Sequence, residues 1–595
     1  MVLSNHKQQM NKAARRVLIL DGDQGSVYAI VRSLARHGLA VDVADCIEPC
    51  LSSKSRYVDQ VFQYPNPKQD PDGFVSWLEK QLGASGTGEP YAYVIPVTDD
   101  TLQPISDHRE RLTPLCKIAM APIEAHQVCS DKAQTFDLAE SLGIDVPNRL
   151  LVRSIDDLKN CEWAFPIVVK PSRSVVADGA GGWHALSVRY VHNQSELETV
   201  ANEDLGYGPI ILQEYAQGKG VGVEVLVDHG KVVASFQHER IHEWPLTGGG
   251  SSYRKSTAVD ARMLESAEQL MKACGYHGVA MVEFKHDVAS DRRWLMEING
   301  RFWGSLPLCV HAGADFPSWL FDLDVDGVQP QSTEYKTGVR SRKFSRDLFW
   351  AVEVLRRTDP NPLITWPARW QGLTTWFGVL LPNHRFDVQN FGDCKIGWFD
   401  FRRSLSLLME RFRAKRKKDE LIRSMEHLRG SRQELRTRLS RTQKVLFLCY
   451  GNINRSALAE FDLAARLDSR ATVEIVSAGF HDREGRSADA NMMKQAAKEG
   501  IDLAASRSSR IDETMVNWAD LILAMDVTHL LRLEEEFPGA MKKTILHGAL
   551  STNERSDVQI LDPYGGTPEV YESCMKSVLA ANSGLLDLLP DPNNS

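Results

Sequence analysis

The 595-residue sequence contains few cysteines, no long apolar run and little net charge. Its ten cysteines are scattered and form no C-x-x-C pair, which favours reduced thiols in a cytosolic chain over a disulfide framework. No run approaches the ~18 apolar residues that a membrane-spanning helix requires. The formal net charge of -8 is small for this length, so no specific nucleic-acid partner is expected.

The amino-terminal residues are polar and basic, and no apolar stretch of the signal-peptide type follows them. We therefore expect a disordered leader over residues 1–16 and a cytoplasmic location. Hydrophobic residues make up 43% and charged residues 25% of the chain, values typical of globular proteins. At roughly 150 residues per domain, this length predicts about four folding units.

The first 400 residues divide into three patterns. Residues 17–45 read as strand, Gly-containing turn, amphipathic helix and strand, and another strand follows near residue 93, which predicts a doubly wound α/β domain over 17–120. Residues 121–330 mix antiparallel strand patterns with helices, as in an α+β domain. Residues 331–401 are aromatic and irregular with four prolines, and we expect them to close the preceding domain.

A basic segment, residues 402–442, follows. Residues 402–441 contain 14 Lys and Arg against five Asp and Glu, and their apolar residues recur at roughly helical spacing. One interpretation is a solvated helical linker interrupted at Gly430. The alternative is a helix that docks on a partner, an acidic membrane surface or nucleic acid.

The carboxy-terminal unit, residues 443–595, has a short turn between a cysteine and an arginine near its start. The apolar stretch QKVLFLC predicts a buried strand and SALAEFDLAARL a helix, so Cys449 to Arg455 form the strand-to-helix turn. Backbone N–H groups at a helix start, together with the helix dipole, favour an anion there. The same surroundings favour a cysteine thiolate, and Arg455 offers a planar fork for two phosphate oxygens.

Such a thiolate can attack phosphorus and form a phosphocysteine, provided that a general acid protonates the leaving oxygen. The sequence LDPYGGTPEVY offers Asp562 for that role, with Tyr564 nearby as a platform for an aromatic substrate. A Cys-x5-Arg spacing alone is a weak signal. The preceding strand, the following helix, Ser456 and the DPYGG loop together make it specific.

At this point the unit resembles the low-molecular-weight protein tyrosine phosphatases over about 443–592. The resemblance implies that Cys449 is the nucleophile, Arg455 the phosphate clamp and Asp562 the general acid. It also implies that Asn452 and Ser456 shape the loop and stabilise the thiolate. The expected substrate is a phosphorylated protein or a small phosphomonoester.

Three positions in this turn bear on its chemistry. Asn454 stands where many family members have a second cysteine, which argues against thioredoxin-linked arsenate reduction, and Ala457 stands where most have proline. Ile453, rather than the threonine of phosphoarginine-specific relatives, favours phosphotyrosine. The alternative to an active phosphatase is a degenerate phosphate-binding module.

Separate nucleotide-binding signals lie in the amino-terminal two-thirds. Lys132 at a helix start and Lys170 at a strand end could reach phosphates. The glycine-rich ADGAGGWHALSV, which contains Gly181, could cover them, although a plain hairpin loop is the alternative. The stretch ILQEYAQGKG, from a strand to a Gly-rich bend, suits an adenine bonded to the backbone from Glu214 to Ala216.

Two strand patterns, VAMVEFK and RWLMEINGRFWGS, each carry a glutamate among apolar residues. These are Glu283 and Glu297, and Asn299 lies on the same strand face as Glu297. Burying two carboxylates needs compensation, and converging oxygen ligands suit Mg²⁺. Each glutamate taken singly is an ordinary salt-bridged strand residue, but the pair predicts a metal site.

This constellation resembles the ATP-grasp superfamily, in particular its biotin-carboxylase-like carboxylate–amine or carboxylate–thiol ligases. The match covers about 15–330 and rests on the residues Lys132, Lys170, Gln213, Glu214, Tyr215, Ala216, Glu283, Glu297, Asn299 and Arg301. The resemblance implies ATP and Mg²⁺ (or Mn²⁺), phosphorylation of a small-molecule carboxylate, and displacement of phosphate by an amine or thiol. In some members a loop like HERIHEWPLTGGGSSYR contacts substrate, here through Gly248–Gly250 and Arg254.

The sequence therefore predicts a multidomain α/β protein. A Rossmann-like domain precedes an ATP-grasp domain and its closing segment, and a doubly wound parallel-sheet phosphatase domain follows the basic linker. The predicted function is a bifunctional ligase and phosphatase, and ATP-grasp enzymes of this build often form homodimers. The alternatives are a phosphatase on a non-catalytic ATP-binding scaffold, and a phosphatase that the basic linker tethers to membrane or nucleic acid.

Overall fold

The computed structural model describes residues 15–83, 90–158, 163–172, 175–177, 183–185, 188–359, 361–467, 473–553 and 557–589. The chain divides into two compact units, a first unit of residues 1–193 and 200–408 and a second unit of residues 194–199 and 409–595. The predicted leader lies outside the described residues up to residue 14. The finer domain borders expected from the sequence stay predictions.

Strands and helices are numbered here in chain order. The strands are β1 Arg16–Ile19, β2 Ala40–Asp45, β3 Gln60–Gln63, β4 Tyr91–Ile95, β5 Arg149–Val152, β6 Ile167–Pro171, β7 Val175–Ala177, β8 Trp183–Ala185, β9 Arg189–Val191, β10 Ile210–Glu214, β11 Lys219–Asp228, β12 Lys231–Trp244, β13 Gly250–Thr257, β14 Gly278–Asp287, β15 Arg292–Asn299, β16 Arg340–Arg342, β17 His384–Phe386, β18 Lys444–Cys449, β19 Glu474–Gly479, β20 Leu521–Ala524 and β21 Thr544–Leu546. The α-helices are α1 Gly25–Arg36, α2 Pro71–Gly83, α3 Asp99–Asp107, α4 Arg109–Leu112, α5 Ile123–Ser130, α6 Lys132–Ser141, α7 Gln194–Asp204, α8 Ala261–Ala273, α9 Leu306–Ala312, α10 Phe316–Phe321, α11 Phe344–Arg356, α12 Gln371–Thr374, α13 Cys394–Gly430, α14 Arg432–Leu439, α15 Arg455–Arg466, α16 Ala490–Lys498, α17 Glu513–Trp518, α18 Val527–Glu536 and α19 Pro568–Leu586.

The first unit begins with the predicted doubly wound layer. Its four strands are all parallel, in the order β3-β2-β1-β4. Val17, Leu18 and Ile19 in β1 are fully buried, because residues on both faces of the strand are covered, as is usual for a parallel sheet. The Rossmann-like prediction is confirmed.

Three sheets follow, antiparallel except for the β16–β17 pair, as expected for the α+β pattern, and one of them contains only β7 and β8. Of the other two, the smaller has the order β5-β10-β6-β9, and the larger has the order β15-β14-β11-β12-β13-β16-β17. In the larger sheet Glu283 lies directly opposite Glu297, and the register shifts after Glu283. This pairing brings the two predicted metal ligands onto neighbouring strands.

Residues 331–401 extend the larger sheet. Strand β16 pairs with β13, and β17 pairs with β16 in parallel. Helix α11 contacts β12 and β13. The aromatic stretch therefore contributes strands and a helix to the first unit.

The basic segment is helical, but its first helix begins before residue 402, and apolar residues near the end of the segment are buried in a hydrophobic core. Helix α13 runs from Cys394 to Gly430, and α14 follows after Ser431. Met425, Leu428, Leu435 and Leu439 are buried with strand residues of the second unit. Its carboxy-terminal third therefore belongs to the core of that unit and is not a solvated linker.

The second unit contains a parallel sheet in the order β19-β18-β20-β21. Successive residues of β18 face two different cores: Phe447 packs with α15 and α19 residues on one side, and Leu446 and Leu448 pack with α17 residues on the other. The doubly wound prediction is confirmed. Among the described residues, no helix is both long and apolar enough to cross a membrane.

Leu435→Ala tests whether α14 contributes to the stability of the second unit. Leu435 is fully buried, so its truncation should lower the free energy of unfolding of this unit by about 2–5 kcal/mol. Leu405→Ala is the matched control, since Leu405 is 40% exposed and should change stability by less than about 0.5 kcal/mol. Denaturant unfolding followed by circular dichroism gives both values. Equal stability of the two variants would refute the packing role of α14.

Candidate active sites

The turn between β18 and α15 is shaped by two backbone constraints. Asn452 has a φ of 52°, in the left-handed region that asparagine tolerates better than most residues. Gly479, at the end of β19, lies so close to the turn that a Cβ there would be 2.6 Å from the carbonyl oxygen of Tyr450. The turn therefore wraps tightly around the carboxyl end of β18, where Cys449 lies.

The Cys449 thiol is buried and surrounded by hydrogen-bond donors. The backbone N–H of Asn452 lies 3.1 Å from its Sγ, and the Ser456 hydroxyl lies 2.9 Å away. The Asn452 amide group donates to the Ser456 and Ser477 hydroxyls at 2.9 and 2.7 Å, and its Oδ1 accepts from the backbone N–H of Ser509 at 2.8 Å. The Asn452 N–H donates to the sulfur, whereas either atom of the Cys449–Ser456 contact can be the donor.

Arg455 lies beside this thiol with a guanidinium that is almost wholly buried. Its Nη1 donates to Asp526 at 2.8 Å and to the Ile560 carbonyl at 3.0 Å, and its Nη2 donates to Asp562. The Nε is buried and has no partner among the described residues. Burial opposes the charge, but the thiol and the two carboxylates outweigh it and raise the pKa of Arg455.

Asp526 is a functional residue that the sequence analysis missed. It caps α18 by accepting from the backbone N–H groups of Thr528 and His529, and its other oxygen holds Arg455. His529 completes the capping box, and its burial lowers its pKa to about 4. The D-x-x-H pattern before an apolar run could have revealed the cap but not its contact with Arg455.

The rim of this site carries aromatic and basic side chains. Tyr450 is 49% exposed, and the Arg532 guanidinium lies 5.7 Å from the centre of its ring. Arg486 donates to the Gly451 carbonyl at 2.6 Å. Asp562, whose side chain is 43% exposed, accepts from the Tyr564 backbone N–H at 3.3 Å. An aromatic phosphate ester could therefore contact Tyr450 or Tyr564 with its ring.

The first unit brings together the predicted metal ligands. Asn299 Nδ2 lies 3.2 Å from one oxygen of Glu283 and 3.2 Å from one of Glu297. Lys132 Nζ lies 3.4 Å from the other oxygen of Glu297. A single amide thus bridges both carboxylates, and a rotation of this amide would present its oxygen to a cation between them.

The two carboxyls differ in their electrostatic surroundings. Burial raises the pKa of Glu297, but the charges of Lys132 and Lys170 outweigh it, and the net pKa is lowered. Burial and the neighbouring Glu297 charge raise the pKa of Glu283, although Arg240 forms an ion pair with it. Arg240 was not singled out from the sequence, although it lies in the predicted substrate loop.

Lys170 lies at the end of β6, and burial lowers its pKa to about 8. Nearby, Lys285 donates to the Ala216 carbonyl at 2.9 Å and lies 4.9 Å from the Tyr215 ring centre. Lys285 was also missed, although it follows Glu283 by two positions on the same strand face. These contacts join the predicted adenine hinge to the metal-binding strand.

The remaining hinge residues also lie at the end of β10. Gln213 is fully buried, and neither its amide oxygen nor its amide nitrogen has a partner among the described residues. Glu214 accepts from the Asn148 amide at 2.9 Å. An unpaired buried amide beside the hinge is consistent with a polar ligand there.

Arg301 and Arg254 each pair with an aspartate. The Arg301 guanidinium donates to both carboxylate oxygens of Asp99 at 2.8 Å. Arg254 lies within β13, is fully buried and donates to Asp387 at 2.6 Å, so it does not line the substrate loop as predicted. Gly181 lies outside the described residues.

The residues present fit ATP and a divalent cation. The carboxylates of Glu283 and Glu297 both contact the Asn299 amide. Lys132 and Lys170 lie near Glu297. Because hard oxygen ligands suit Mg²⁺ and lysines suit phosphates, Glu283, Glu297 and Asn299 could hold the cation.

We expect Lys170 to make nucleotide binding sensitive to pH. Lys170 should lose its proton as the pH rises through about 8, so its charge is present below that pH and absent above it. The dissociation constant for Mg·ADP should then rise by up to about tenfold per pH unit between pH 8 and 9. Lys170→Gln should bind ADP more weakly with a flatter profile, and the exposed Lys231→Gln is the control. Calorimetric titrations showing parallel pH profiles for wild type and Lys170→Gln would contradict this role.

Comparisons with known proteins agree with the two sites. Residues 444–592 match the family model described as "Low molecular weight phosphotyrosine protein phosphatase", and residues 207–346 match "ATP-grasp in the biosynthetic pathway with Ter operon". A protein-arginine-phosphatase of Geobacillus stearothermophilus is 36% identical over 132 residues, which cover 22% of this chain and 84% of the relative. A low molecular weight protein-tyrosine-phosphatase of Streptomyces coelicolor is 30% identical over 154 residues, which cover 24% of this chain and 92% of the relative.

Among solved structures, an L-amino acid ligase from Bacillus licheniformis matches with a TM-score of 0.42 and 16% identity, over 53% of this chain and 75% of that chain. The amino-terminal part contains an ATP-grasp domain. Through residues 444–592, the chain belongs to the low molecular weight phosphotyrosine protein phosphatase family.

Proposed function

We propose that this chain is a bifunctional enzyme. One activity is an ATP-dependent carboxylate–amine (or thiol) ligase that acts through an acyl phosphate. The other is a phosphotyrosine-type phosphomonoesterase that acts through a phosphocysteine. The phosphatase proposal rests on the two polar groups that contact Cys449, whose Sγ lies 3.1 Å from the Asn452 backbone nitrogen and 2.9 Å from the Ser456 hydroxyl oxygen.

In the proposed phosphatase reaction, the Cys449 sulfur attacks phosphorus and the ester P–O bond breaks. Asp562 donates its proton to the leaving oxygen. A water molecule then attacks the phosphocysteine, Asp562 accepts a proton from it, and the S–P bond breaks to release inorganic phosphate and the thiolate. The unpaired Nε of Arg455 supplies one donor for the phosphoryl oxygens.

To bind phosphate with Nη2 as well, Arg455 must exchange the Asp562 carboxylate for a phosphate oxygen. Its Nη2 donates to Asp562. A phosphate oxygen would replace that carboxylate, which frees Asp562 to act as the general acid. Asp526 and the Ile560 carbonyl would keep the guanidinium in place meanwhile.

The substrate is proposed to carry an aromatic phosphate ester. Tyr450 and Tyr564 are available to contact its ring, and Ile453 is half-buried in the turn. Because named relatives act on arginine and on tyrosine phosphates, a direct comparison of phosphotyrosine and phosphoarginine peptides is part of the test.

In the proposed ligase, Glu283, Glu297 and Asn299 hold Mg²⁺ while Lys132 and Lys170 bind phosphate oxygens. ATP and Mg²⁺ together would supply the phosphoryl group and offset its charge during transfer. The backbone from Glu214 to Ala216 binds the adenine. Arg301, which pairs with Asp99, is proposed to bind the substrate carboxylate after this pair opens.

One observation favours the alternative of a phosphatase on a non-catalytic nucleotide-binding scaffold. Arg240 forms an ion pair with Glu283 and must release that carboxylate before Glu283 can bind a cation fully. A permanent pair would leave nucleotide binding without turnover. The Arg240 side chain also donates to the Gly249 carbonyl at 3.1 Å. This hydrogen bond would hold the guanidinium after it releases Glu283.

The phosphatase proposal predicts different losses for two substitutions. Cys449→Ser should reduce p-nitrophenyl phosphate hydrolysis by at least about a thousandfold, because it removes the nucleophile. Asp562→Asn should reduce kcat by about 10²- to 10⁴-fold with phenyl phosphate and less with p-nitrophenyl phosphate, whose leaving group needs less protonation. The exposed Asp502→Asn is the control. Full activity of Cys449→Ser would refute the mechanism.

The ligase proposal predicts ADP release that requires a carboxylate. A panel of amino acids and other carboxylates, with amines or with hydroxylamine to trap an acyl phosphate, should identify a substrate that yields ADP and a hydroxamate. Glu297→Gln should abolish both products, whereas the exposed Glu265→Gln should retain them. Tight ATP binding with no turnover across the panel would support the scaffold alternative instead.

A further inference from the structure

A short helical segment of the first unit exposes large apolar side chains on one side. Trp370, Leu373 and Phe377 are 64%, 61% and 69% exposed. Their spacing of three and four residues places them on one helical face, from the start of α12 into the following 3₁₀ turn. This face is therefore directed away from the hydrophobic cores of the unit.

The opposite side of this segment is packed, so its orientation is fixed. A Cβ at Gly372 would lie 3.1 Å from the Ala351 carbonyl of α11. The Trp376 ring lies 5.6 Å from that of Phe344, and the Arg342 guanidinium lies 4.8 Å from the Trp376 ring centre. The amphipathic segment thus buries one side and presents the other to solvent.

The first turns of α13 also expose a large aromatic side chain, and ring contacts connect it to the packed side of this segment. The Trp398 ring stacks on Phe401 at 5.5 Å, Phe401 lies 5.3 Å from Phe344, and Phe344 contacts Trp376. Trp398 itself is 61% exposed. We call the exposed members of this surface the aromatic face, which comprises Trp370, Leu373, Phe377, Leu381, Phe391 and Trp398. Exposed apolar residues are ordinary when scattered, but a group as dense along the chain as this one is typical of an interaction surface.

Basic side chains surround the aromatic face. Arg369 adjoins Trp370, Arg385 donates to the Pro382 carbonyl next to Leu381, and all three side chains of Arg369, Arg385 and Lys395 are exposed. Lys395 precedes Trp398 by three residues and Arg402 follows it by four, so both lie on its side of α13. Within the described residues, no carboxylate forms an ion pair with Arg369, Lys395 or Arg402.

The acidic residues of the same stretch point inward. Asp387 accepts from Arg254 at 2.6 Å, Asp393 from the Ser55 hydroxyl at 2.5 Å, and Asp400 from the Gln389 amide at 2.7 Å. The solvent side of the surface therefore has an apolar centre and a positive rim.

We propose that the aromatic face docks on an anionic lipid surface. Trp, Phe and Leu side chains insert at the level of the lipid headgroups, and the arginines and lysines attract the lipid phosphates. A second copy of the chain fits less well, because a two-fold contact would oppose identical positive rims. Docking of this face on lipid does not depend on the proposed function.

Vesicle cosedimentation tests this proposal with the full chain. Vesicles of phosphatidylglycerol and phosphatidylcholine should retain the protein at low salt, and added salt or vesicles of phosphatidylcholine alone should weaken binding at least about tenfold. The combined substitutions Trp370→Ser, Leu373→Ser and Phe377→Ser should reduce binding at least about tenfold, as should Arg369→Gln, Lys395→Gln and Arg402→Gln together. Val288→Ser removes a residue that is 72% exposed elsewhere and should bind like wild type.

Two further measurements distinguish lipid binding from misfolding of the variants and from self-association. Thermal unfolding followed by circular dichroism should stay unchanged in both combined variants, which shows that the first unit, where all six substitutions lie, still folds. Light scattering should give the same mass for wild type and the apolar variant. A wild-type dimer that this variant dissociates would identify the face as a contact between copies and overturn the proposal. Absence of vesicle binding at low salt would overturn it too.

Discussion

The cost of burying charged groups governs both sites of this chain. A charge removed from water is destabilising unless an opposite charge or several hydrogen bonds compensate it. In the second unit, the buried Arg455 guanidinium is held by Asp526, Asp562 and a backbone carbonyl. In the first unit, Glu297 is held by Lys132 and Asn299.

At both sites, the buried charged groups do not have enough hydrogen-bond partners within the described part of the chain to compensate fully for their removal from water. Arg455 retains one buried donor without a partner among the described residues, and Asn299 shares one amide group between two carboxylates. A phosphate in the first case and a divalent cation in the second would satisfy the remaining groups. This shared design explains how two unrelated folds in one chain can both be prepared for phosphorus chemistry.

Local sequence patterns predicted much of the fold. Strand periodicity predicted β14 and β15 and placed Glu283 and Glu297 on neighbouring strands, because residues of paired strands with the same orientation lie close together. The Cys449 turn was also predictable, since a strand, a turn and a helix follow one another directly in the chain. Both patterns lie within residues that match a family model.

Partners distant in the chain could not be predicted in this way. Asp526 lies 71 residues from Arg455, and Asp387 lies 133 residues from Arg254, so no local period links them. The basic segment shows the same limit, because its composition indicated a solvated helix whereas Leu435 and Leu439 pack into a core. Charged residues in a sequence predict which side of a helix is exposed. They do not predict which residues pack against its apolar side.

A crystal structure of the full chain with Mg·ADP and vanadate tests the central claim most directly. The account predicts vanadium bonded to Cys449 Sγ, with Arg455 Nε donating to a vanadate oxygen and Asp562 displaced from Arg455, and a cation shared by Glu283 and Glu297. An unchanged Arg455–Asp562 pair with vanadate bound elsewhere, or a nucleotide bound away from Glu283 and Glu297, would contradict it.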